Sequence, residues 1–220
     1  MALFERFTIC SAKKAGPIDG KASSRLRYTL SVPGKTTLEI HHIELFPNTR
    51  PIHCTPYRLS PVKAKVLKEE LSNLVRQGIV EESNSPWASP IVMVPKADGT
   101  LRLCTDLRKV NSVTVPDPFL LPRIEDLLDE IGKSKYLTKL DMTRGYWQVP
   151  LDDVSAPISA FVTPYGHFQW RYMPFGLRDA PATFSRLVSK LLMGLESFSL
   201  MISSFLVTLG RSIWPISVLC

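Results

Sequence analysis

A carboxylate at the end of an apolar run is the first feature of this sequence that could do chemistry. Asp141 closes the run Tyr136–Asp141, where a buried strand would reach solvent. An aspartate there often caps the following turn. It is also a hard oxygen ligand of the kind that Mg²⁺ binds together with substrate phosphates. The spacing alone leaves both interpretations open.

Two cations flank the tip of a predicted β-hairpin. The runs Ile91–Pro95 and Leu101–Thr105 surround Asp98-Gly99, a strong signal for a tight turn. Lys96 lies beside this tip and Arg102 lies on the returning strand. Such cations are often solvated or protect a strand edge. A lysine point charge and an arginine fork could also clamp a triphosphate.

A helix precedes this hairpin. Ser60 is a natural N-cap, Pro61 suits the first helical position and Gly78 suits the C-terminal end. Apolar residues recur between them at helical spacing, and we expect them to face the core: Val62, Val66, Leu67, Leu71, Leu74 and Val75.

The remaining periodic segments alternate between helix and strand. They predict a short helix over Pro122–Gly132, a strand over Tyr136–Asp141, a hairpin of Ile158–Thr163 and Phe168–Met173 around Pro164–Gly166, and a helix over 180–195. This order predicts an α+β protein whose sheet is mostly antiparallel and packed with helices. Residues 1–40 show no clear period and are expected to be a poorly ordered leader or linker.

The composition is that of a globular protein with a basic balance. The 220 residues are 45% hydrophobic, and the formal net charge of +7 is compatible with a polyanionic partner without requiring one. The four cysteines form no CxxC pair, which favours a reducing compartment. The apolar stretch Phe198–Leu209 is too short to span a bilayer. We therefore expect an intracellular protein, cytoplasmic or nuclear, with no membrane partner.

Taken in order, five segments resemble the reverse transcriptases of long-terminal-repeat retrotransposons of the Ty3/gypsy type. The resemblance runs from about His41 to Ser199, and the segments are Ser89–Gly99, Leu101–Asn111, Leu140–Gln148, Phe161–Gly166 and Met173–Phe184. It implies the fingers of a right-hand polymerase over 41–111 and 148–173. It also implies a partial palm over 112–147 and 174–199.

The resemblance implies a role for each site residue. Asp141 matches the first catalytic and metal-binding aspartate, and Lys96 and Arg102 match cations that hold the phosphates of the incoming nucleotide. Tyr146 matches the residue that excludes the ribose 2′-hydroxyl. The other implied nucleotide-binding residues are Met142, Thr143, Arg144 and Gly145, through backbone groups, and the turn at Phe175 and Gly176.

The resemblance implies a supporting role, rather than contact with the nucleotide, for three residues of a neighbouring motif. Asp106, Arg108 and Asn111 match a fingers motif assigned to structure and template support. Asp179 departs from the family pattern, in which an asparagine is expected before Ala180. A carboxylate at this position would add negative charge near the nucleotide.

The implied reaction is attack of a primer 3′-hydroxyl on the α-phosphate of a deoxynucleoside triphosphate, directed by an RNA or DNA template. Two Mg²⁺ ions would serve it in the intact family. The family's Tyr-x-Asp-Asp hairpin is missing, because only Asp152, Asp153 and Asp179 follow Asp141 among the aspartates. We therefore expect impaired ion binding and no polymerisation by this chain as written. A non-catalytic nucleic-acid-binding fragment and a pseudogene product are the alternatives.

The last residues suggest why the acidic pair is missing. Residues 200–220 are apolar and contain no acidic residue. Codons for Leu200-Met201-Ile202 can encode Asp-Asp in a neighbouring frame. The hypothesis is that a one-nucleotide slip near Phe198 shifted the frame of this tail, and that the remainder of the polyprotein is missing from the sequence.

Overall fold

The computed structural model of the chain describes residues 9–14, 24–26, 34–95, 99–119, 138–142 and 144–192. The predicted helix over Pro122–Gly132 and the tail 200–220 lie outside the described residues, as do Lys96 and Thr143. The described helices are α1 (Pro61–Arg76), α2 (Arg108–Ser112), α3 (Ser155–Ile158) and α4 (Ala180–Leu192), with a 3-10 helix at Gly145–Gln148. The strands are β1 (Ile9–Lys14), β2 (Ser24–Leu26), β3 (Val80–Glu82), β4 (Ser89–Pro95), β5 (Leu101–Thr105), β6 (Thr138–Met142), β7 (Phe161–Thr163) and β8 (Gly166–Trp170).

Helix α1 begins and ends where the sequence predicts. The Ser60 hydroxyl accepts a hydrogen bond from the Lys63 N–H at 3.4 Å, and Gly78 follows the helix with a φ of +66°. Of the predicted core residues, Leu67, Leu71 and Leu74 are buried. The prediction was wrong for two valines: Val62 is 72% exposed and Val75 is 41% exposed. At about 100° per residue they fall roughly 140° and 80° around the helix from Leu67, outside the buried stripe.

The larger sheet has five strands in the order β3-β8-β7-β4-β5. All neighbours are antiparallel except β4 and β7, which pair in parallel through Ser89 opposite Phe161. The two predicted runs pair as β4 and β5, with Ile91 opposite Thr105 and Pro95 opposite Leu101. Gly99 at its turn has a φ of +79°. The structure therefore confirms this hairpin.

The second hairpin, β7–β8, is present but its strands differ from the prediction. The first strand begins at Phe161 rather than Ile158, because α3 occupies Ser155–Ile158. The Asp152 carboxylate accepts the Ser155 N–H at 3.1 Å and so caps this short helix. Strand β8 starts at Gly166, whose φ of +141° completes the turn, and ends at Trp170.

One hydrophobic core lies between the five-stranded sheet and the helices. Leu67 and Leu74 of α1, Phe161 and Trp170 of the sheet, and Leu187 of α4 are all fully buried within it. The Trp170 indole N–H donates to the Thr105 hydroxyl at 3.0 Å, which ties β8 to the far edge strand β5. This core fixes the positions of the turns that carry the candidate site.

The smaller sheet has the order β2-β1-β6, and β1 is antiparallel to both neighbours. Strands β1 and β2 lie within the predicted leader 1–40, where no periodic pattern was found. The packed residues also begin before His41: Thr36 is buried and its N–H donates to the Gln148 carbonyl at 2.8 Å.

The architecture confirms the predicted fold class. Helices pack on a mixed sheet in which antiparallel pairs dominate, as expected of an α+β protein. Among the described residues, none of the helices has the length and hydropathy needed to cross a membrane.

Candidate nucleotide-binding site

Asp141 lies next to the end of β6, as the sequence predicts. The described strand is Thr138–Met142, and Asp141 is opposite Ser11 of β1 in the register. The residue thus sits where a strand of the smaller sheet gives way to the turn that leads to the 3-10 helix. Its role as a metal ligand stays a prediction.

Two aspartates that follow Asp141 in the sequence are engaged in other contacts. The Asp152 carboxylate bonds to the Ser155 N–H and lies 3.4 Å from His42, while the Asp179 carboxylate accepts the Asp117 N–H at 3.1 Å. Within the described part of the chain, no group of three or more His, Cys, Asp or Glu residues could hold an ion. The donor set of the described residues therefore does not fit a two-ion site.

Arg144, which follows β6, has a strained backbone, and its side chain is held by residues of other elements. Arg144 has a φ of +48°, the left-handed conformation that a non-glycine residue adopts at a cost of about 1–2 kcal/mol. Its guanidinium donates to the Gln77 amide oxygen at 3.1 Å and lies 4.9 Å from the centre of the Trp147 ring. Because this side chain is docked at the end of α1, the predicted contact of Arg144 with a nucleotide is limited to its backbone. Gly145, which follows, is buried.

An aromatic cluster brings two of the predicted site residues together. The Tyr146 and Phe175 ring centres are 5.0 Å apart and tilted by 34°, and Phe184 of α4 meets Tyr146 edge-on at 5.3 Å. Burial raises the pKa of Tyr146 to about 12, so that its hydroxyl is neutral at physiological pH. Phe175 remains 48% exposed. A half-buried tyrosine beside an exposed phenylalanine is a surface on which a flat or sugar-sized group can rest.

The turn that carries Phe175 needs the glycine that follows it. Gly176 has a φ of +98°, a conformation that L side chains rarely adopt. Its carbonyl accepts a hydrogen bond from the Asn111 side-chain amide at 2.8 Å, and the same amide accepts the Arg178 N–H at 2.9 Å. The sequence assigned Asn111 only a general structural or template role. No local pattern showed that its side chain holds this turn.

Arg102 lies on the outer face of the β4–β5 hairpin. It is exposed and opposite Val94, whereas Leu103 and Thr105 on the inner face are buried. Burial raises the pKa of the neighbouring Cys104 thiol, and Arg102 opposes that shift. Lys96 lies outside the described residues, so the phosphate clamp of Lys96 and Arg102 stays a prediction.

An open cleft of about 600 Å³ lies beside α2. The Arg108 guanidinium forms two bonds with the Asp106 carboxylate, at 2.8 and 2.6 Å, and the Tyr57 hydroxyl donates to the same carboxylate at 3.1 Å. The bond from Arg108 holds the pKa of Asp106 below its usual range. His53 and Lys109 also line this cleft. The segment around His53 and Tyr57 carries no periodic signal, and the sequence did not indicate it.

Asp179, the departure from the expected asparagine, joins two loops. Its carboxylate accepts the Asp117 N–H, while the Asp117 carboxylate pairs with Arg186 of α4. Burial raises the pKa of Asp179. A carboxylate oxygen and an amide oxygen can both accept this backbone bond, so the substitution keeps the contact.

Comparison with known protein families identifies the lineage of this site. Residues 94–206 match the family described as "Reverse transcriptase (RNA-dependent DNA polymerase)". The chain belongs to the reverse transcriptase family. The match begins at the β4–β5 hairpin and includes β6, the Tyr146 cluster and α4.

Relatives of this reverse transcriptase chain include proteins of mobile elements. It is 36% identical over 161 residues to the "Retrovirus-related Pol polyprotein from transposon 297" of Drosophila melanogaster. The alignment covers 71% of this chain and 15% of the relative. The chain thus spans a small part of the length of that polyprotein.

Solved reverse transcriptases share the fold. The prototype foamy virus protease-reverse transcriptase superposes with a TM-score of 0.65 and 29% identity, over 72% of this chain and 21% of that one. A foamy viral protease-reverse transcriptase in complex with an RNA/DNA hybrid superposes with a TM-score of 0.62 over 76% of this chain and 22% of that one. At 22% identity, the second likeness concerns the fold alone.

Proposed function

We propose that this chain is the fingers and the first part of the palm of an RNA-directed DNA polymerase, from the polyprotein of a Ty3/gypsy-type retrotransposon. The observation that carries the proposal is the ring contact of Tyr146 with Phe175, which lies on the turn held by Asn111, within the segment that matches the family. The five ordered motifs of the sequence support the retrotransposon type.

The proposed nucleotide site lies between β6 and the Phe175 turn. The Tyr146 ring faces the sugar and excludes a 2′-hydroxyl, because Phe175 and Phe184 pack against it on two sides. Lys96 and Arg102 hold the phosphates, and backbone groups from Met142 to Gly145 orient them. In an assembly that supplies the missing carboxylates, Asp141 would be the catalytic carboxylate beside the α-phosphate. There the primer 3′-hydroxyl would lose its proton and its oxygen would bond to the α-phosphorus, as the bond to the leaving pyrophosphate breaks.

Reverse transcriptases generally use divalent metal ions, and we propose Mg²⁺ with Asp141 as a ligand. One carboxylate does not hold two divalent ions. We therefore assign this chain the binding of nucleotide and template–primer, and we assign catalysis to an assembly in which further carboxylates meet Asp141.

The proposed template surface is the cleft beside α2. Lys109 contributes a positive charge there, and Arg108 is oriented by its two bonds to Asp106. Phosphate contacts of this kind give binding that weakens as salt rises. The resemblance of the Asp106–Asn111 motif to the template-supporting motif of the family supports this assignment.

Fluorescence anisotropy with a labelled RNA–DNA hybrid that carries a single-stranded RNA template end tests this function. We expect binding that weakens with added KCl and that Lys109→Ala weakens further. Lys63→Ala in α1 serves as the control, since it removes the same charge from an exposed residue that does not line the cleft. Affinity that ignores both salt and Lys109 would contradict the proposed template surface.

The frame of the tail gives a second test of the polymerase lineage. The family match ends at residue 206, inside the apolar segment 200–220. We propose that the coding DNA, read in the neighbouring frame from about Phe198, encodes the Asp-Asp pair of the family's Tyr-x-Asp-Asp hairpin. A chain recoded in that frame should extend a primer on poly(rA), and the present chain should not. A neighbouring frame without adjacent aspartate codons would refute the slip.

A further inference from the structure

The tip of the turn from Pro174 to Arg178 depends on a side chain from another element. The Met173 N–H donates to the Val149 carbonyl before the turn, and the Ala180 N–H donates to the Leu177 carbonyl after it. Between these flanks, Gly176 holds a φ of +98°. The Gly176 carbonyl and the Arg178 N–H, on either side of Leu177, both bond to Asn111.

The amide of Asn111 suits this position because it is both donor and acceptor. Its NH₂ group donates to the Gly176 carbonyl at 2.8 Å, and its oxygen accepts the Arg178 N–H at 2.9 Å. Two hydrogen bonds from one planar amide fix both the orientation of the turn and its distance from α2. An aspartate has nearly the same shape but loses the donor and presents a negative oxygen to the carbonyl.

Asn111 is itself held firmly. It lies in α2, where its N–H donates to the Leu107 carbonyl at 2.8 Å. The side chains of Leu107 and Val110 are 2% and 1% exposed, so α2 is anchored in the core. A turn tied to Asn111 is therefore tied to the rigid part of the molecule.

The tied turn carries the aromatic ring that covers Tyr146. The Phe175 ring centre is 5.0 Å from that of Tyr146 and 6.4 Å from that of Trp147. Since Phe175 is 48% exposed, the surrounding side chains alone leave much of it uncovered. Its position depends on the backbone of the turn, and that backbone depends on Asn111.

We propose that Asn111 is a positioning residue that sets how strongly the pocket prefers deoxyribonucleotides to ribonucleotides. By fixing the turn it keeps Phe175 on Tyr146, and Tyr146 then stays in the one position that excludes a 2′-hydroxyl. The inference rests on the proposed function, in which Tyr146 faces the sugar. Asn111 touches no reacting atom in this role.

Fluorine NMR of the chain labelled with 4-fluorophenylalanine tests whether Asn111 holds the turn and whether the turn sets the preference for deoxyribonucleotides. The Phe175 signal is assigned by its loss in Phe175→Leu, and it is followed during titration with dATP and with ATP, each with MgCl₂. The variants are Asn111→Asp and Asn111→Ala. Ser112→Ala is the matched control, because its hydroxyl donates to the Lys109 carbonyl within the same helix at 2.7 Å.

We expect the Phe175 signal to shift and broaden in both Asn111 variants and to stay unchanged in Ser112→Ala. The preference for dATP over ATP should fall about three- to tenfold, the range for loss of a hydrogen bond. A thermal melt of each variant establishes that it is folded, and Asn111→Ala tests the inference if Asn111→Asp unfolds.

Three results would overturn the inference. An unchanged Phe175 signal in the Asn111 variants would mean that Asn111 does not hold the turn. A loosened turn with an unchanged preference would mean that the turn does not set the discrimination. A wild-type chain that binds dATP and ATP equally, or neither, would refute the proposed function of Tyr146 and the inference with it, whereas the first two results leave that function standing.

Discussion

The two sheets of this chain differ in what their registers place side by side. In the five-stranded sheet, apolar residues face each other across strands, as in Met93 with Leu103, Phe161 with Phe168, and Val80 with Trp170. In the three-stranded sheet, Lys13 lies between Arg25 on one side and Lys139 on the other. Apolar pairs stabilise a sheet, and like charges directly opposite each other destabilise it.

The sheets also differ in how far apart their partners lie in the chain. The β4–β5 and β7–β8 hairpins close through short turns, whereas β1 must find β6 across most of the sequence. A longer closed loop costs more entropy, although the cost grows slowly. The strand of Asp141 thus depends on a distant partner, and its register places Lys139 opposite Lys13. The larger sheet is built from hairpins that close locally.

Truncation of Trp170, a large fully buried side chain of the five-stranded sheet, should have the largest effect on stability. Trp170 is 2% exposed, and its indole N–H bonds to Thr105. We expect Trp170→Ala to lower the free energy of unfolding by about 3–5 kcal/mol, from the lost packing and the cavity left behind. Urea denaturation followed by circular dichroism measures this loss.

Hydrogen exchange then distinguishes the two sheets. In the wild-type chain, amides of β7 and β8 should exchange more slowly than those of β6, and Trp170→Ala should accelerate mainly the former. Equal, strong protection of both sheets in the wild type would show that the difference in register has no energetic consequence.

The free energy of unfolding of the part that contains the five-stranded sheet should fall in acid, because His41 becomes protonated. This residue is buried, its Nδ1 lies 2.8 Å from the Thr183 hydroxyl of α4, and burial lowers its pKa to about 4. In the unfolded chain the pKa is about 6.5, so the unfolded state binds more protons between these values. Stability is full above about pH 6.5 and falls by up to about 3 kcal/mol as the pH approaches 4.

His41→Asn supplies the control for this pH effect. Asparagine does not titrate, so urea midpoints of the variant should be flat between pH 4 and 6.5. Asp106 provides a separate reference: the bond from Arg108 lowers its pKa, and its contribution is lost only at lower pH, as the carboxylate is protonated. A wild-type midpoint that does not change between pH 6.5 and 4 would contradict the predicted effect of His41, and one that falls equally in His41→Asn would exclude His41 as its source.

Elements with local signals could be predicted from the sequence, and contacts between distant segments could not. Ser60 with Pro61 marked the start of α1, and Asp98-Gly99 marked the β4–β5 turn. The parallel pairing of β4 with β7 had no such signal, because it joins separate hairpins. Val62 was misplaced because hydrophobicity was taken as burial, although the residue lies outside the stripe that faces the core.

The candidate site shows the same division. Tyr146 and Phe175 were assigned through ordered motifs, and the structure places their rings in contact. The role of Asn111 depends on side-chain bonds to the backbone of a turn far along the chain, which no periodic pattern encodes. Segment 34–40 was missed for a similar reason: Glu39 is buried and paired with Arg186 and Lys190 of α4, and buried polar pairs leave no hydrophobic signal.

A substitution in the turn between β8 and α4 tests whether support from the larger sheet reaches the pocket. Gly176→Ala should lower stability by about 1–2 kcal/mol, because the φ of +98° is strained for alanine. The added Cβ would lie 3.4 Å from the Thr105 carbonyl, an ordinary contact, so backbone strain is the main cost. Thermal melts measure the loss.

Gly78→Ala is the matched control for this substitution. Gly78 also has a positive φ, +66°, and a Cβ there meets nothing within 4 Å. Both variants should lose similar stability, but only Gly176→Ala should shift the fluorine signal of Phe175. Equal shifts in both would mean that general destabilisation, rather than the turn, moves Phe175.

Reversing one charge should stabilise the three-stranded sheet and so reduce the difference between the two sheets. Lys13→Glu places a carboxylate residue between Arg25 and Lys139, so that two repulsive pairs become two attractive ones. Each cross-strand pair contributes roughly 0.2–1 kcal/mol, and we expect slower exchange of the β6 amides at low salt, with the gain fading as KCl screens the charges.

Lys14→Glu is the control, because Lys14 lies between Ser24 and Thr138, which are uncharged. If both variants slow exchange equally, the lower net charge of the chain is responsible, and the row of three cations does not limit the pairing of the strand that carries Asp141.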